Sequence, residues 1–329
     1  MQYRKLGNSG LYVSEISYGT WGVNEWMSED NLVSCIKTAL DLGITTFDTA
    51  DVYGGGSAES LLGTVLGTKK RSNYEISTKS FFNTGSGPNG SGLSRKHIID
   101  SVNSSLKRLK TDYIDIYIAH RYDNLTPIEE TLDTYQYLIN AGKVLYIGVS
   151  EWTTEEISNA VEYQKKLAYS KFITSQVRYS GLARYAENSL IPLCKELGIS
   201  QMAVSPLAQG ILSGKYPTSA QDVRGNSTNY LNNILNERTI DSVLKLHELS
   251  KSIDKTTAQM MVSWVLSNSN ISTAVVGART PEQLAEIATN IESIDHSMVE
   301  KINNILSDVS DTSEETLLNS SPINRLAKR

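Results

Sequence analysis

Residues 46–54, TFDTADVYG, place two aspartates and a tyrosine where an apolar run ends and three glycines, Gly54 to Gly56, begin. Taken alone, the stretch is compatible with a solvated loop after a buried strand, and Tyr53 is one of 17 tyrosines. Its meaning depends on its surroundings. Strand-like runs recur near Val13–Tyr18, Thr45–Thr49, Tyr74–Thr78, Tyr113–Ala119, Val144–Val149, Phe172–Val177, Gln201–Ser205 and Thr273–Val276. Helical patterns fill the gaps. In NLVSCIKTAL (31–40), Leu32, Cys35, Ile36, Ala39 and Leu40 keep helical spacing, and Ile128, Leu132, Tyr135 and Ile139 form a similar stripe. Helix starts are signposted by Thr126-Pro127-Ile128-Glu129, which suggests a capping threonine with proline at the first position, and by the capping box Thr153 with Glu156. Helix ends fall at Gly43, Gly142 and Gly198, where a left-handed cap is easiest.

Eight strand-then-helix units predict an α/β protein, a (β/α)8 TIM barrel occupying 1–329 as a single domain. A doubly wound open sheet is the alternative. It would usually carry a GxGxxG turn after the first strand, and the glycines of YGTWG (18–22) do not make one. MQYRKLGNSGLYVSEI (1–16) reads as a β-hairpin turning at Asn8-Ser9-Gly10 and capping the barrel floor. Residues 218–236 read as a long polar loop or lid, and the polar tail from about 307 as loosely held.

The bulk properties narrow the function. A net charge of −5 argues against a nucleic-acid surface, and no stretch approaches a membrane span. The two cysteines, Cys35 and Cys194, sit in helical patterns and suit buried thiols in a reducing compartment. MQYRKLGNSG has no apolar signal core, so a cytoplasmic location is expected.

In a barrel, the C-terminal ends of the strands converge on one mouth. Asp48 and Tyr53 would meet there with Lys79, His120, Ser150, Gln176 and Ser205. A buried lysine needs a counter-ion, which Asp48 supplies, and a lysine beside a phenol should lower the Tyr53 pKa. Tyr53 then suits general-acid work on a carbonyl oxygen, with His120 holding a polar ligand atom. No side chain supplies a hydride, so a reductase would need a cofactor. In STAVVGARTPEQL (272–284), the last strand ends at Gly277-Ala278-Arg279 and a helix follows, capped by Thr280 with Gln283 placed to close a box. A helix N-terminus beside a fixed guanidinium suits phosphate.

The order Asp48, Tyr53, Lys79, His120 within FDTADVYG, ISTK and IAH resembles the catalytic tetrad of the aldo-keto reductases, over roughly Tyr3 to Asn290. GLSRKHII (92–99), TPIEET (126–131) and SPLAQGILSGKY (205–216) are most similar to the branch of voltage-gated potassium channel β-subunits and their microbial relatives. The resemblance implies NADPH/NADP+, with NADH less favoured, and reduction of a small-molecule aldehyde or ketone. It implies cofactor contacts from Gly19, Thr20, Trp21, Asp48, Ser150, Gln176, Ser205, Leu207, Gly210, Lys215, Arg224, Gly277, Arg279, Gln283 and Glu286. It implies a substrate pocket of Trp21, Tyr53, Phe81 and His120, no metal, and a tetramer or octamer. Glu59 would approach the adenosine end, and Asp51 reads as a solvated neighbour of the site. Val204, Ile287 and Glu151 depart from the family pattern, which bears on cofactor preference, and Glu151 would disfavour anionic substrates. Channel β-subunits typically carry asparagine at the position of His120, which favours an enzyme here. Two other readings stay open: a nicotinamide-binding regulatory subunit with weak turnover, and a Schiff-base aldolase using Lys79.

Overall fold

A computed structural model describes residues 1–85, 87–214, 234–313 and 315–316. Two short antiparallel strands, β1 (Tyr3–Lys5) and β2 (Tyr12–Ser14), precede eight parallel strands that close on themselves. In chain order the barrel strands are β3 (Ile16–Gly19), β4 (Thr46–Asp48), β5 (Glu75–Ser80), β6 (Ile114–Ala119), β7 (Val144–Ser150), β8 (Phe172–Arg178), β9 (Ser200–Val204) and β10 (Ile271–Val276). Each pairs with its successor, and β10 pairs with β3 to complete the ring. Strands covered on both faces read as unbroken apolar runs; all six residues of β6 and of β10 are buried. The expected strand near Val13–Tyr18 is two strands. At Glu15 the backbone changes partners, its N–H donating to Gln2 and its C=O accepting from Ala274 of the barrel.

The hairpin plugs the floor as expected. Leu6 and Val13 bury themselves against Ile116, Ile173 and Met202 inside the barrel. Gly7 makes this possible. Its φ is +57°, and a Cβ there would lie 2.1 Å from the Ile173 carbonyl oxygen. Its N–H donates to Ser200 Oγ at 2.7 Å.

The surrounding helices include α1 (Glu29–Asp41), α2 (Ser57–Leu66), α3 (Arg95–Leu109), α4 (Ile128–Asn140), α5 (Thr154–Lys166) and α6 (Leu190–Leu197). After the segment outside the described residues come α7 (Glu237–Lys251), α8 (Thr257–Ser267), α9 (Pro281–Ala288) and α10 (His296–Leu306). The Thr153–Glu156 box forms, and Gly43, Gly142 and Gly198 are left-handed. The start of α4 differs from expectation. Pro127 stands just before the helix, and the Thr126 hydroxyl donates to Asp123 at 2.7 Å instead of capping. The tail is also held further than its polarity suggests. Asp311 exchanges backbone hydrogen bonds with Leu182 and Arg184, and Asn188 donates to the Thr312 carbonyl. The 218–236 loop reading falls mostly outside the described residues; Asn236 caps α7. Cys35 and Cys194 are buried and form no disulfide, and no described helix is long and apolar enough to cross a membrane.

Candidate active site

Asp48 closes β4, and five residues later Tyr53 opens a tight turn into α2. The three glycines that follow are what turn the chain. Gly54, Gly55 and Gly56 all have positive φ, and a Cβ on Gly54 would meet Ser57 Oγ at 2.4 Å. This brings the phenol back over the barrel mouth, where β5 delivers Lys79. The Lys79 ammonium has no exposure to solvent. It donates to Asp48 Oδ1 at 2.9 Å, to Asp48 Oδ2 at 2.8 Å and to the Thr49 carbonyl at 2.6 Å. The Tyr53 hydroxyl is a further hydrogen-bond partner of this ammonium. The Tyr53 ring centre lies 5.2 Å from the ammonium. His120, the first residue after β6, meets the same ring edge-on at 5.8 Å.

Burial and charge set the protonation states. Burial works against the Lys79 charge, but Asp48 and the Tyr53 phenol more than offset it, and its pKa is raised. The Tyr53 pKa is also raised, which corrects the expectation of a lowered one. Loss of water from the phenolate dominates, Lys79 opposes it, and the charge of Asp48 reinforces it. Tyr53 is a phenol with its proton in place. His120 is pushed well below its ordinary value by burial, then by Lys79 and Arg121. It is a neutral imidazole at pH 7. Its Nδ1 is buried without a hydrogen-bond partner, and an unmet lone pair is better tolerated than an unmet N–H. The proton therefore belongs on Nε2.

These groups open onto a cavity of 540 Å³. Asp48, Tyr53 and His120 line one part of it together with Trp21 and Phe82. Ser150, Gln176 and Ser205 continue the wall. Gln176 Nε2 donates to Asp48 Oδ1 at 2.9 Å, and a carboxylate accepts only, so this contact fixes which end of the amide is NH2. Elsewhere the wall is Leu207, Gly210, Gly277, Arg279, Gln283 and Glu286. A Cβ on Gly210 or Gly277 would meet no atom within 4 Å; the φ of +105° at Gly210 calls for glycine on its own, whereas packing does not require one at Gly277. Arg279 lies over the Trp26 ring at 5.5 Å. Thr280 Oγ1 caps α9, while Gln283 Oε1 accepts from the Arg279 N–H, one residue earlier than a capping box would place it. Non-glycine residues with positive φ gather at this mouth: Glu151, Ser205, Ala208 and Gln209. Such backbone is costly and clusters at functional sites.

The Aldo/keto reductase family model matches residues 15–307. This chain belongs to the aldo/keto reductase family. It is 38% identical over 319 residues to a Schizosaccharomyces pombe protein provisionally named a voltage-gated potassium channel subunit beta, covering 92% of this chain and 93% of that one. An Arabidopsis thaliana protein with a similar provisional name is 38% identical over 305 residues, covering 90% and 92%. L-glyceraldehyde 3-phosphate reductase of Escherichia coli K12 is 36% identical over 312 residues, covering 90% and 88%.

Within this aldo/keto reductase, the barrel brings together most of the residues that sequence singled out. Three do not line the cavity, Lys79 among them, fully buried against Asp48. Thr20 is buried, its hydroxyl donating to the Asp48 carbonyl at 3.2 Å. Phe81 packs edge-on against Phe82 at 5.3 Å, and Phe82 lines the cavity in its place, 4.8 Å from the His120 ring. Lys215 and Arg224 lie outside the described residues. Glu59 is fully buried between Thr78 Oγ1 at 2.6 Å and Arg108 Nε at 2.7 Å, behind the site and not at a cofactor wall. Asp51 is buried too, not solvated. Glu151 lines the cavity, but its oxygens accept from the Arg178 N–H at 2.6 Å and the Tyr185 hydroxyl at 3.2 Å. It braces the end of β8. Sequence reading missed Arg121, Arg178 and Trp26 as lining residues. Arg121 follows His120 directly, which was a signal available in the sequence.

Proposed function

We propose that the chain is an NADPH-dependent reductase of aldehydes and ketones, acting through Asp48, Tyr53, Lys79 and His120. The observation that carries this reading is the fully buried Lys79–Asp48 pair set beneath a protonated Tyr53 at the mouth of the cavity. Bound there, a reduced nicotinamide supplies the hydride that no side chain has. The cavity residues suit that group. Gln176, oriented by Asp48, and Ser150 would hold the carboxamide. The bare glycines Gly210 and Gly277 give room for close approach, with Ser205 and Leu207 beside them. Arg279, Gln283 and Glu286 at the start of α9 would take the adenosine phosphate end, and the Arg279 charge supports NADPH over NADH. Val204 and Ile287 line the same cavity without a polar atom for the cofactor.

The substrate oxygen would sit between the Tyr53 hydroxyl, which donates the proton, and His120 Nε2–H, which orients it. Lys79 stabilises the phenolate left behind, and Asp48 keeps Lys79 charged. A Schiff-base role for Lys79 is disfavoured, because such chemistry needs a neutral amine and this one is held as an ammonium by three acceptors. The names of the yeast and plant relatives favour a second reading, a nicotinamide-binding regulatory subunit with weak turnover. A homotetramer or homo-octamer in the cytoplasm is proposed on the same resemblance.

NADPH oxidation with 4-nitrobenzaldehyde and methylglyoxal tests the first reading. Loss of the general acid in Tyr53→Phe is expected to lower turnover by roughly 10²- to 10⁴-fold. An inactive wild type that binds NADPH tightly would turn the argument to the regulatory reading.

A further inference from the structure

Tyr53 and Lys79 reach the mouth on different elements. The phenol heads the Gly54-Gly55-Gly56 turn, a backbone that three glycines alone hold in no single conformation. The turn's own hydrogen bonds are local, Tyr53 N–H donating to the Ala50 carbonyl and Gly55 N–H to the Val52 carbonyl, both at 3.1 Å. Behind it lies a buried polar cluster outside the cavity wall. Glu59, in the first turn of α2, has no exposure to solvent, and a glutamate is buried so fully only when it is paired. Its Oε1 accepts from Thr78 Oγ1 at 2.6 Å and its Oε2 from Arg108 Nε at 2.7 Å. Thr78 is the residue before Lys79 in β5. Arg108, near the end of α3, also donates to Ser105 Oγ at 3.3 Å. Its side chain lies against Gly56, where a Cβ would be 2.9 Å from Arg108 Cδ and 3.1 Å from Nε. Arg108 thus closes the glycine turn from behind.

One carboxylate therefore joins the strand that carries Lys79 to the turn that carries Tyr53, with α3 as the fixed side. Asp51, inside the turn, feels both charges, Glu59 raising its proton affinity and Arg108 lowering it. Charge-assisted hydrogen bonds in a dry setting are stiff as well as strong. Catalysis is steep in geometry, and a misplacement of about 1 Å can cost roughly 10²-fold in rate. We propose that Thr78, Glu59 and Arg108 are positioning residues, a bracket that fixes the Tyr53 hydroxyl over Lys79 for proton donation. The proposal deepens the reductase reading and rests on it. It gives Glu59 a part in the reaction in place of the cofactor contact expected from sequence.

Thr78→Val removes the hydroxyl while keeping the shape and adding no charge beside the phenol. It is expected to lower kcat for 4-nitrobenzaldehyde roughly 10- to 100-fold, with KM and NADPH affinity unchanged, and Thr78→Ser to restore most of the loss. Arg108→Met should behave as Thr78→Val does. In a Tyr53→Phe background Thr78→Val should cost nothing further, because both changes act through one group. Asp295→Ala is the control for stability alone: Asp295 caps α10 by accepting from the Met298 N–H at 2.7 Å, and no residue of α10 lines the cavity. If Thr78→Val lowers kcat no more than Asp295→Ala, or lowers it equally with and without the Tyr53 hydroxyl, the proposal fails. A second readout needs no turnover. 3-Fluorotyrosine placed at position 53 gives a single fluorine resonance, which Thr78→Val should move or broaden and Asp295→Ala should leave fixed. A resonance unmoved by Thr78→Val overturns the bracket. A wild type that reduces no aldehyde defeats the reductase reading, while the resonance still decides whether these residues hold the phenol in place.

Discussion

Lys79 is the residue on which the site's electrostatics turn. An ammonium without access to water is tolerated because Asp48 sits within 2.9 Å on both oxygens and the Thr49 carbonyl and Tyr53 hydroxyl complete the shell. Breaking such a pair from one side leaves a bare buried charge, whereas replacing both members with neutral groups does not. Lys79→Met is therefore expected to lose roughly 3–5 kcal/mol of stability, with Asp48 left to Gln176 alone. Adding Asp48→Asn to that variant should return most of the loss without restoring NADPH-linked turnover. Urea unfolding of the two variants alongside the activity assay separates the two roles. A double variant as unstable as the single one would mean that packing around the lysine stem, and not its charge, is what the fold needs. At this scale much was legible in the chain. A lysine and a histidine ending apolar runs are poor core residues, so their chemistry stood out. The direction of the Tyr53 shift was not legible, because it depends on how much water the folded mouth removes from the phenol, and sequence order does not carry that quantity.

Elements were legible to the extent that their signals are local. The Thr153 box and the glycine caps depend on a few adjacent residues, and they form as expected. Signals that depend on a distant partner were lost. The break at Glu15 lies inside an apolar run and exists because one peptide faces β1 and the next faces β10. The choice between Phe81 and Phe82 is similar, since β5 ends at Ser80 and no strand alternation extends past it. The hairpin on the barrel floor shows how tight such distant fits are. Gly7 holds a left-handed φ with its α-carbon against the Ile173 and Gly198 carbonyls. Gly7→Ala combines a strained backbone with a steric overlap against backbone that cannot yield. It is expected to destabilise the protein by more than the roughly 1 kcal/mol that loss of the Thr153 cap costs in Thr153→Ala. Chemical denaturation of both variants checks the order. If Gly7→Ala proves the milder of the two, the hairpin is not anchored to the barrel as tightly as its contacts indicate.

The molecule as a whole carries a titration that no single element reveals. Asp51 lies in the turn between Asp48 and Tyr53, and its backbone N–H donates to the Lys79 carbonyl at 3.1 Å. In sequence it is a polar residue before three glycines, which reads as solvated. Once the surrounding structure packs down, it is 3% exposed, and its carboxyl oxygens have only weak hydrogen-bond support from Ser101 and the Val52 backbone. Burial, then the charge of Glu59, raise its pKa from 3.8 to about 7, with Ser101 and Arg108 only partly opposing. The folded state therefore holds a proton that the unfolded chain releases near pH 4. A raised folded value contributes stability that is fully present below the unfolded pKa and is lost as pH rises through the folded one. Wild-type stability should thus fall between about pH 4 and pH 7 on account of this group. Asp51→Asn removes the charge and keeps the shape. It is expected to match the wild type at low pH and to gain on it toward pH 8, with an upper limit of roughly 4 kcal/mol. Urea unfolding of both proteins across that range reads the difference directly, because other titrating groups cancel between them. A gap that stays constant with pH would show that Asp51 is ionised in the folded protein and that water reaches it between the barrel and the helices.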